Sequence, residues 1–206
     1  EPLLVHDDVA WAMRQAKLSM LYRGDTAEDC REWQGVFRTR LLELLGDCES
    51  PREWTTEQQS REEFDDYVRY ELLLHADRTP SLPVYLLIPT TATAEHPVPG
   101  VVCVHGHGPY GNDAVIGCAD DEAAQRHVAD LNYDYGLQFV RRGYAVAAPC
   151  LIPFGRRVDR EKYGGKDPCA VTFVRMQALG QLPMAANLRD LRWSIDLLQG
   201  RSEVQR

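Results

Sequence analysis

The spacing of hydrophobic and polar positions predicts helices in the first part of the chain. From Asp8 to Met20, apolar residues recur at the spacing of one helix face, and Gly24 ends this pattern. Thr26 is a good N-cap for a second helix, and Gly46 is a suitable residue to end it. We therefore expect two helices in the N-terminal part.

The period then changes from that of a helix to that of a strand. Over 67–75 apolar and polar residues alternate, as in a half-buried strand, and 83–89 is a second short apolar run bounded by prolines. Proline lacks the N–H that a central strand needs. We therefore expect these two strands to form an antiparallel hairpin at a sheet edge.

Two later runs are apolar on both faces, which requires cover on both sides of a sheet. They span 100–105 and 143–149, and a helical pattern over 122–142 lies between them. A strand, a helix and a second strand of this kind form a parallel βαβ unit. A further helical stretch over 170–199 is interrupted at Pro183.

These elements predict an α/β fold. We expect a mostly parallel twisted sheet that begins with an antiparallel hairpin, has helices on both faces and follows a helical extension. The extension is assigned to residues 1–64 and the sheet domain to 65–206. A strand that begins just beyond Arg206 is expected to complete the second βαβ unit, because a crossover helix returns the chain to a parallel strand.

Composition and charge exclude several classes of partner. The 206 residues carry 23 Lys and Arg against 31 Asp and Glu, a net charge of −8, without a basic cluster. We therefore expect no binding to nucleic acid or to an anionic membrane surface. No apolar run approaches the roughly 18 residues that a membrane span needs.

The cysteines and the first residue bear on the compartment. Six widely spaced cysteines include no C-x-x-C pair, and we interpret them as mainly free thiols, which favours the cytoplasm. Position 1 is Glu rather than Met, so a removed export leader is the alternative. We interpret the chain as one that stops early, and the sequence leaves a homo-oligomer open.

The segment directly after the first doubly apolar run is the strongest candidate for chemistry. It spans 105–113 with the sequence HGHGPYGND, and its closely spaced glycines let the backbone bend sharply and point N–H groups outward. In an open α/β sheet this strand end faces the crevice where ligands bind. Such N–H groups can stabilise an oxyanion. The alternative is a tight turn with a core histidine.

Four motifs follow one another in the second part of the chain. They are VVCVHGHG over 101–108, YGLQFVRRGYAVAAP over 135–149, FGRR over 154–157 and NLRDLRWSIDLL over 187–198. In this order they resemble the α/β-hydrolase superfamily, in its dienelactone-hydrolase-like and acetyl-xylan-esterase-like branch. The resemblance covers about residues 67–206 and stops before the family's nucleophile.

The resemblance implies a serine-type carboxylic-ester hydrolase that acts through an acyl-serine intermediate. In that case the backbone N–H of His107 is an oxyanion-hole donor, and Gly108 keeps the loop close to the substrate. The Gly-x-Ser-x-Gly elbow of the family is absent from these residues, so the nucleophile, acid and base are expected beyond Arg206. No cofactor is implied, and the expected partner is a small-molecule ester.

Two positions depart from the family pattern. Cys150 stands where this branch often has Asp, and Arg156 stands where it often has an acidic residue. Arg156 and Arg157 could bind a substrate carboxylate through a planar fork, or could be solvated or helix-paired. Arg156 and Tyr110 are the candidate substrate-binding residues.

The sequence does not predict a metal site. Several good ligand types lie near one another along the chain: Cys103, His105, His107, Asp113 and Cys118. Neither C-x-x-C nor H-E-x-x-H spacing is present. Gly106 and Gly108 also argue against a continuous strand that would put the two histidines on one face.

Two other functions stay open as alternatives. A non-catalytic hydrolase-like domain could serve as a binding or assembly module through its exposed parallel edge. A peptidase of the prolyl-oligopeptidase type would share the same core, but that type usually follows a propeller domain, and nothing before Tyr67 resembles one.

Overall fold

A computed structural model describes residues 5–205, and the chain divides between Leu44 and Leu45 into two compact units. The first unit contains helix α1, Val5–Gln15, and all but the last residue of helix α2, Ala27–Leu45. Both helices were predicted, although α1 ends earlier than its apolar pattern. No residue of α1 or α2 is fully buried.

Thr26 begins α2 as its N-cap, as the sequence predicts. Its hydroxyl accepts a hydrogen bond from the N–H of Asp29 at 3.1 Å, and the Asp29 carboxylate accepts one from the N–H of Thr26 at 3.0 Å. This reciprocal arrangement satisfies two N–H groups that the start of a helix otherwise leaves without a partner.

The second unit is built on a mixed five-stranded sheet in the order β1-β2-β3-β5-β4. The strands are β1, Thr55–Glu63; β2, Tyr67–Ala76; β3, Thr79–Pro89; β4, Gly100–Val102; and β5, Ala145–Pro149. The pairings β1/β2, β2/β3 and β3/β5 are antiparallel, and β4 and β5 run parallel. Strands β4 and β5 are the parallel pair that the βαβ pattern predicts.

Four helices follow β4 along the chain, two before β5 and two after it. They are α3, Glu122–Leu131; α4, Tyr135–Arg141; α5, Pro168–Ala178; and α6, Pro183–Gln199. The break at Pro183 is confirmed. The single helix expected over 122–142 is divided instead, because Asn132 adopts a left-handed conformation, φ 50°, and ends α3. Within residues 5–205, no helix combines the length and the apolar character that a membrane span requires.

The core consists of two apolar clusters, one on each face of the sheet. Alternate side chains of β3 point to opposite faces and contribute to both clusters. Leu82, Val84 and Leu86 pack with Trp193 of α6, whereas Leu87 packs on the other face with Val140 of α4. This burial on both faces explains why the central strands are apolar runs without a polar side.

Strand β1 belongs to the sheet, so the sheet begins before the boundary that was expected at residues 64 and 65. Its nine residues pair with β2 although they are almost all polar and exposed. An edge strand with one partner and no buried face does not need the apolar alternation that identifies strands in a sequence. The N-terminal antiparallel part therefore has three strands instead of a hairpin.

Strand β3 is central, which corrects the expectation that its prolines hold it at an edge. Its neighbours are β2 and β5. The carbonyl of Pro83 accepts the N–H of Cys150 at 2.9 Å, just beyond the first residue pair of the β3/β5 ladder. The Pro83 nitrogen, which has no hydrogen to donate, therefore lies at the end of this ladder. A missing donor at the end of a ladder leaves no partner unsatisfied.

The chain after α6 returns to the free side of β4. The N–H of Val98 donates to the carbonyl of Glu203 at 2.9 Å, and the N–H of Gln205 donates to the carbonyl of Val98 at 2.9 Å. Val98 and Val204 thereby form a parallel bridge. Parallel pairing was expected to begin just beyond Arg206, and in the structure it begins a few residues before.

Candidate active site

His105 anchors the loop that follows β4. It is buried, and both ring nitrogens are hydrogen-bonded. Its Nε2 accepts the N–H of Leu151 at 2.9 Å, so Nδ1 carries the proton and donates to the carbonyl of Gly106 at 2.9 Å. Burial lowers the pKa of this imidazole, which favours its neutral form. Its hydrogen bond with Leu151 connects the loop after β4 to the loop after β5.

Two tyrosines, Tyr133 between α3 and α4 and Tyr135 at the start of α4, hold the same loop from the other side. The N–H of Gly106 donates to the hydroxyl of Tyr133 at 2.6 Å, and the hydroxyl of Tyr135 donates to the carbonyl of Val104 at 2.6 Å. Neither tyrosine was singled out from the sequence as a functional residue. Their hydroxyl contacts were missed because nothing in a sequence shows which backbone groups a distant side chain will reach.

The amides of His107 and Gly108 are two free donors in this loop. Within residues 5–205 neither N–H makes a hydrogen bond, whereas the N–H and the carbonyl of Gly106 are both hydrogen-bonded. His107 is exposed and Gly108 is half-buried. The loop therefore offers two main-chain donors at the carboxyl end of β4, where ligands bind in open α/β sheets.

A cavity of about 250 Å³ lies beside these two residues. Its walls come from the loop after β4, the loop after β5 and the start of α5, and they are formed by His107, Gly108, Pro109, Pro153, Phe154, Arg160, Asp167, Pro168 and Cys169. The ring of Phe154 packs edge-on against those of His105 and His107, with centroids 5.3 and 5.2 Å away.

The loop after β4 and the loop after β5 meet at two glycines. Gly111 and Gly155 both have positive φ, +55° and +49°. A Cβ on Gly111 would lie 2.8 Å from the Cα of Gly155, a distance that side chains do not tolerate. The side-chain amide of Asn112, which is fully buried, donates to the carbonyl of Ala148 at 2.8 Å. The backbone contact and this hydrogen bond fix the loop against β5.

Neither of the two predicted substrate-binding residues, Tyr110 and Arg156, is among the described residues that line this cavity. The Tyr110 ring packs against the His127 ring, with centroids 5.0 Å apart. Arg156 forms an ion pair with Glu71, and its guanidinium lies over the Tyr85 ring at 5.0 Å. Because both groups have partners within the chain, their role in substrate binding stays a prediction.

The second arginine of the FGRR motif has a structural role. A guanidinium nitrogen of Arg157 lies 2.5 Å from the carboxylate of Asp190, and the same group donates to the carbonyl of Cys150 at 3.0 Å. Arg189 also donates to Asp190, at 2.9 Å. The Asp190 side chain is fully buried and that of Arg157 nearly so, and the pair joins α6 to the loop after β5.

Cys150 is a buried thiol at the end of β5. Its Sγ donates to the carbonyl of Phe154 at 3.3 Å, and burial raises its pKa. The neutral thiol thus makes a hydrogen bond within the loop after β5. The first of the two departures from the family pattern that the sequence resembles is therefore a group without charge.

Within the described residues, the serine with a histidine partner is Ser81, whose hydroxyl lies 2.8 Å from Nδ1 of His75, while Nε2 of the same ring lies 2.9 Å from the carboxylate of Glu57. No serine lines the cavity beside His107. Ser194, the serine of the last helix, is fully buried and donates to the carbonyl of Asp190 at 2.8 Å. These observations agree with the absence of a Gly-x-Ser-x-Gly elbow from the sequence.

One group of side chains could hold a metal ion. The ligand atoms of His107, Asp167 and Cys169 all lie within 4.8 Å of one another. This group differs from the one that the sequence suggested, since His105 already uses both of its ring nitrogens. It was missed because about sixty residues separate His107 from Asp167, and no spacing motif connects them.

Comparison with known proteins gives the fold of the chain. No family profile and no curated protein matches its sequence. A solved structure from Bacteroides fragilis, provisionally named an acetyl xylan esterase, matches with a TM-score of 0.80 and 19% identity over 100% of this chain and 53% of that one.

Two further solved structures are similar. Acetyl xylan esterase 1 from Thermoanaerobacterium matches with a TM-score of 0.51 and 15% identity, over 81% of this chain and 52% of that one. A glucuronoyl esterase from Solibacter usitatus matches with a TM-score of 0.53 and 15% identity, over 88% and 51%. The chain spans about half the length of each of these structures. The chain shares the α/β-hydrolase fold of these structures over the part that it covers.

Proposed function

We propose that this chain supplies the oxyanion loop of a serine-type carboxylic-ester hydrolase. The observation that carries the proposal is the pair of unpartnered amides at His107 and Gly108, beside a cavity at the carboxyl end of β4. The loop that presents them is fixed by His105, Tyr133 and Tyr135. Donors that are already oriented need little reorganisation when charge develops, which is the basis of their effect.

The proposed chemistry is acyl transfer through a serine. The hydroxyl oxygen attacks the ester carbonyl carbon, a base takes the hydroxyl proton, and the alcohol leaves with that proton. The carbonyl oxygen carries negative charge in the tetrahedral intermediate, and the N–H of His107 stabilises it. One such donor contributes about 2.7–4 kcal/mol to the transition state. The second donor is the amide of the residue that follows the nucleophile.

The nucleophile, the acid and the base of this mechanism come from residues outside the 206 of the chain. The partner is a small-molecule ester. Acetyl esters are the first substrates to test, because two of the similar structures carry the name acetyl xylan esterase. The amide donors contact only the carbonyl oxygen of the ester. Selectivity for the alcohol part of the substrate therefore depends on other residues of the pocket.

The test compares the 206-residue chain with a version extended along its own reading frame, both assayed on a short-chain chromogenic ester. We expect turnover from the extended version and none from the 206-residue chain. Turnover by the shorter chain would contradict the placement of the nucleophile. An inactive extended version that contains a serine elbow would instead favour the non-catalytic alternative.

A second experiment tests the loop itself. In the extended version, Tyr133→Phe removes the hydroxyl that holds the N–H of Gly106 and should lower kcat by about 10-fold with little change in KM, since a displaced oxyanion donor affects the transition state. Tyr144→Phe is the matched control, because the Tyr144 hydroxyl makes no hydrogen bond within residues 5–205. Equal activities of the two variants would contradict the proposed role of the loop.

A further inference from the structure

The start of α5 and the loop after β4 place three different metal-ligating side chains around one cavity. The imidazole of His107, the carboxylate of Asp167 and the thiol of Cys169 lie with their ligand atoms within 4.8 Å of one another. They line the same cavity of about 250 Å³, which leaves space for an ion and a water molecule.

Two of these ligands are oriented by the first turn of α5. The two carboxylate oxygens of Asp167 accept the N–H groups of Cys169 at 3.1 Å and Ala170 at 3.2 Å. Pro168 stands between the two ligands and fixes the backbone there. Each carboxylate oxygen keeps a second lone pair, so the helix cap holds the group without using up its capacity to bind a metal.

The other two groups have no competing partner in the described part of the chain. Neither ring nitrogen of His107 and no atom of the Cys169 thiol takes part in a hydrogen bond within residues 5–205. The edge-on packing of Phe154 against His107, at 5.2 Å, supports the imidazole from one side. An exposed imidazole and a half-buried thiol without partners are available to an ion that enters from solvent.

The ligand types select the metal. Nitrogen, thiolate sulfur and carboxylate oxygen together suit zinc, whereas calcium and magnesium prefer oxygen ligands alone. Zinc bonds of about 2.0–2.3 Å in a tetrahedron place ligand atoms roughly 3.5 Å apart, so the side chains need to close by about 1 Å.

The charges also balance. One carboxylate and one thiolate neutralise a divalent cation, and the thiol proton is released to solvent when the metal binds. Arg160 borders the same cavity, and its side chain is exposed, so that solvent screens its positive charge.

We propose that His107, Asp167 and Cys169 bind one zinc ion, with water at the fourth position. The ion links the loop after β4 to the first turn of α5. The proposal does not rest on the esterase function, since metal binding is measured on this chain without substrate.

The test is a titration of the metal-free 206-residue chain with cobalt(II), which occupies tetrahedral zinc sites and absorbs visible light there. We expect one equivalent to give the intense visible bands of tetrahedral cobalt together with a sulfur-to-cobalt charge-transfer band, and zinc to displace both. A weak octahedral spectrum without the charge-transfer band, or no spectrum, would overturn the proposal.

Variants assign the ligands. Cys169→Ser should abolish the charge-transfer band, and His107→Gln should weaken cobalt binding by at least about 100-fold, because even outer-shell partners of a metal contribute 10–100-fold. Asp167→Asn keeps a good helix cap while it removes the carboxylate, and should weaken binding similarly.

Cys30→Ser is the matched control, since it removes another partly exposed free thiol in a different part of the chain. It should bind cobalt like the unaltered chain. A charge-transfer band that survives Cys169→Ser, or that disappears with Cys30→Ser, would place the metal elsewhere and contradict the proposal. Circular dichroism of each variant shows that the fold is retained.

Discussion

At the scale of single residues, the imidazole of His105 makes the stability of the protein depend on pH. Burial lowers its pKa below the ordinary histidine value of 6.5, so the folded chain holds fewer protons than the unfolded chain as the pH falls. Its contribution to stability is complete above that value and is lost as the pH falls through the lowered folded-state pKa. Protonation would cost one of its two hydrogen bonds, because Nε2 must accept from Leu151.

His105→Gln keeps an acceptor for the N–H of Leu151 but removes the titrating group. Urea unfolding is measured at about pH 7.5 and about pH 5.5, on either side of the ordinary histidine value. We expect the unaltered chain to lose more stability on acidification than the variant. The control His96→Gln, at an exposed histidine, should behave like the unaltered chain. Equal losses in all three proteins would show that His105 does not titrate as proposed.

The residues that were predicted from the sequence were those with a local signal. Thr26 and Pro183 mark helix starts by rules that depend on a few neighbouring residues, and the structure confirms both. The glycines after β4 indicated a sharp loop for the same reason. The partners of that loop, Tyr133 and Tyr135, were not predictable, because they come from a segment that only folding brings near.

At the scale of elements, the contact between the loop after β4 and the loop after β5 depends on two glycines. Gly111→Ala should destabilise the fold by about 1–2 kcal/mol for left-handed strain. The new methyl carbon would also lie 2.8 Å from the Cα of Gly155, and this overlap should cost at least about 1 kcal/mol more. Urea denaturation measures the change.

Gly164→Ala is the matched control for this prediction. Gly164 has nearly the same φ, +57° against +55°, but a Cβ there would have no neighbour within 4 Å. It should therefore show the strain and no further cost. If the two variants lost equal stability, the close approach of the two loops would not matter energetically.

The ion pair between Arg157 and Asp190 joins α6 to the loop after β5. Because Asp190 is fully buried, Arg157→Met leaves its carboxylate with Arg189 as the remaining ion-pair partner and should cost up to about 3–5 kcal/mol of unfolding free energy. Arg141→Met removes one partner of a pair whose side chains are 57% and 49% exposed, and should cost about 0–1 kcal/mol. Chemical denaturation distinguishes the two, and similar costs would contradict a structural role for the buried pair.

At the scale of the whole molecule, the core belongs to the second compact unit. Both apolar clusters are formed by residues from Trp54 onward, and they include Trp193. We therefore expect a chain of residues 45–206 to fold by itself, with a cooperative urea transition and the near-ultraviolet circular dichroism of a packed Trp193. A compact state without that near-ultraviolet signal would contradict this expectation.

Local sequence patterns were enough to predict the α/β class, the parallel pair β4 and β5, and the position of the sharp loop after β4. These features follow from apolar runs, helix periodicity and glycine placement, which act over a few residues. Tertiary structure alone decided that polar β1 joins the sheet, that β3 is central, and that His107 meets Asp167 and Cys169. Those outcomes depend on which distant segments pack together, and a linear pattern does not contain that information.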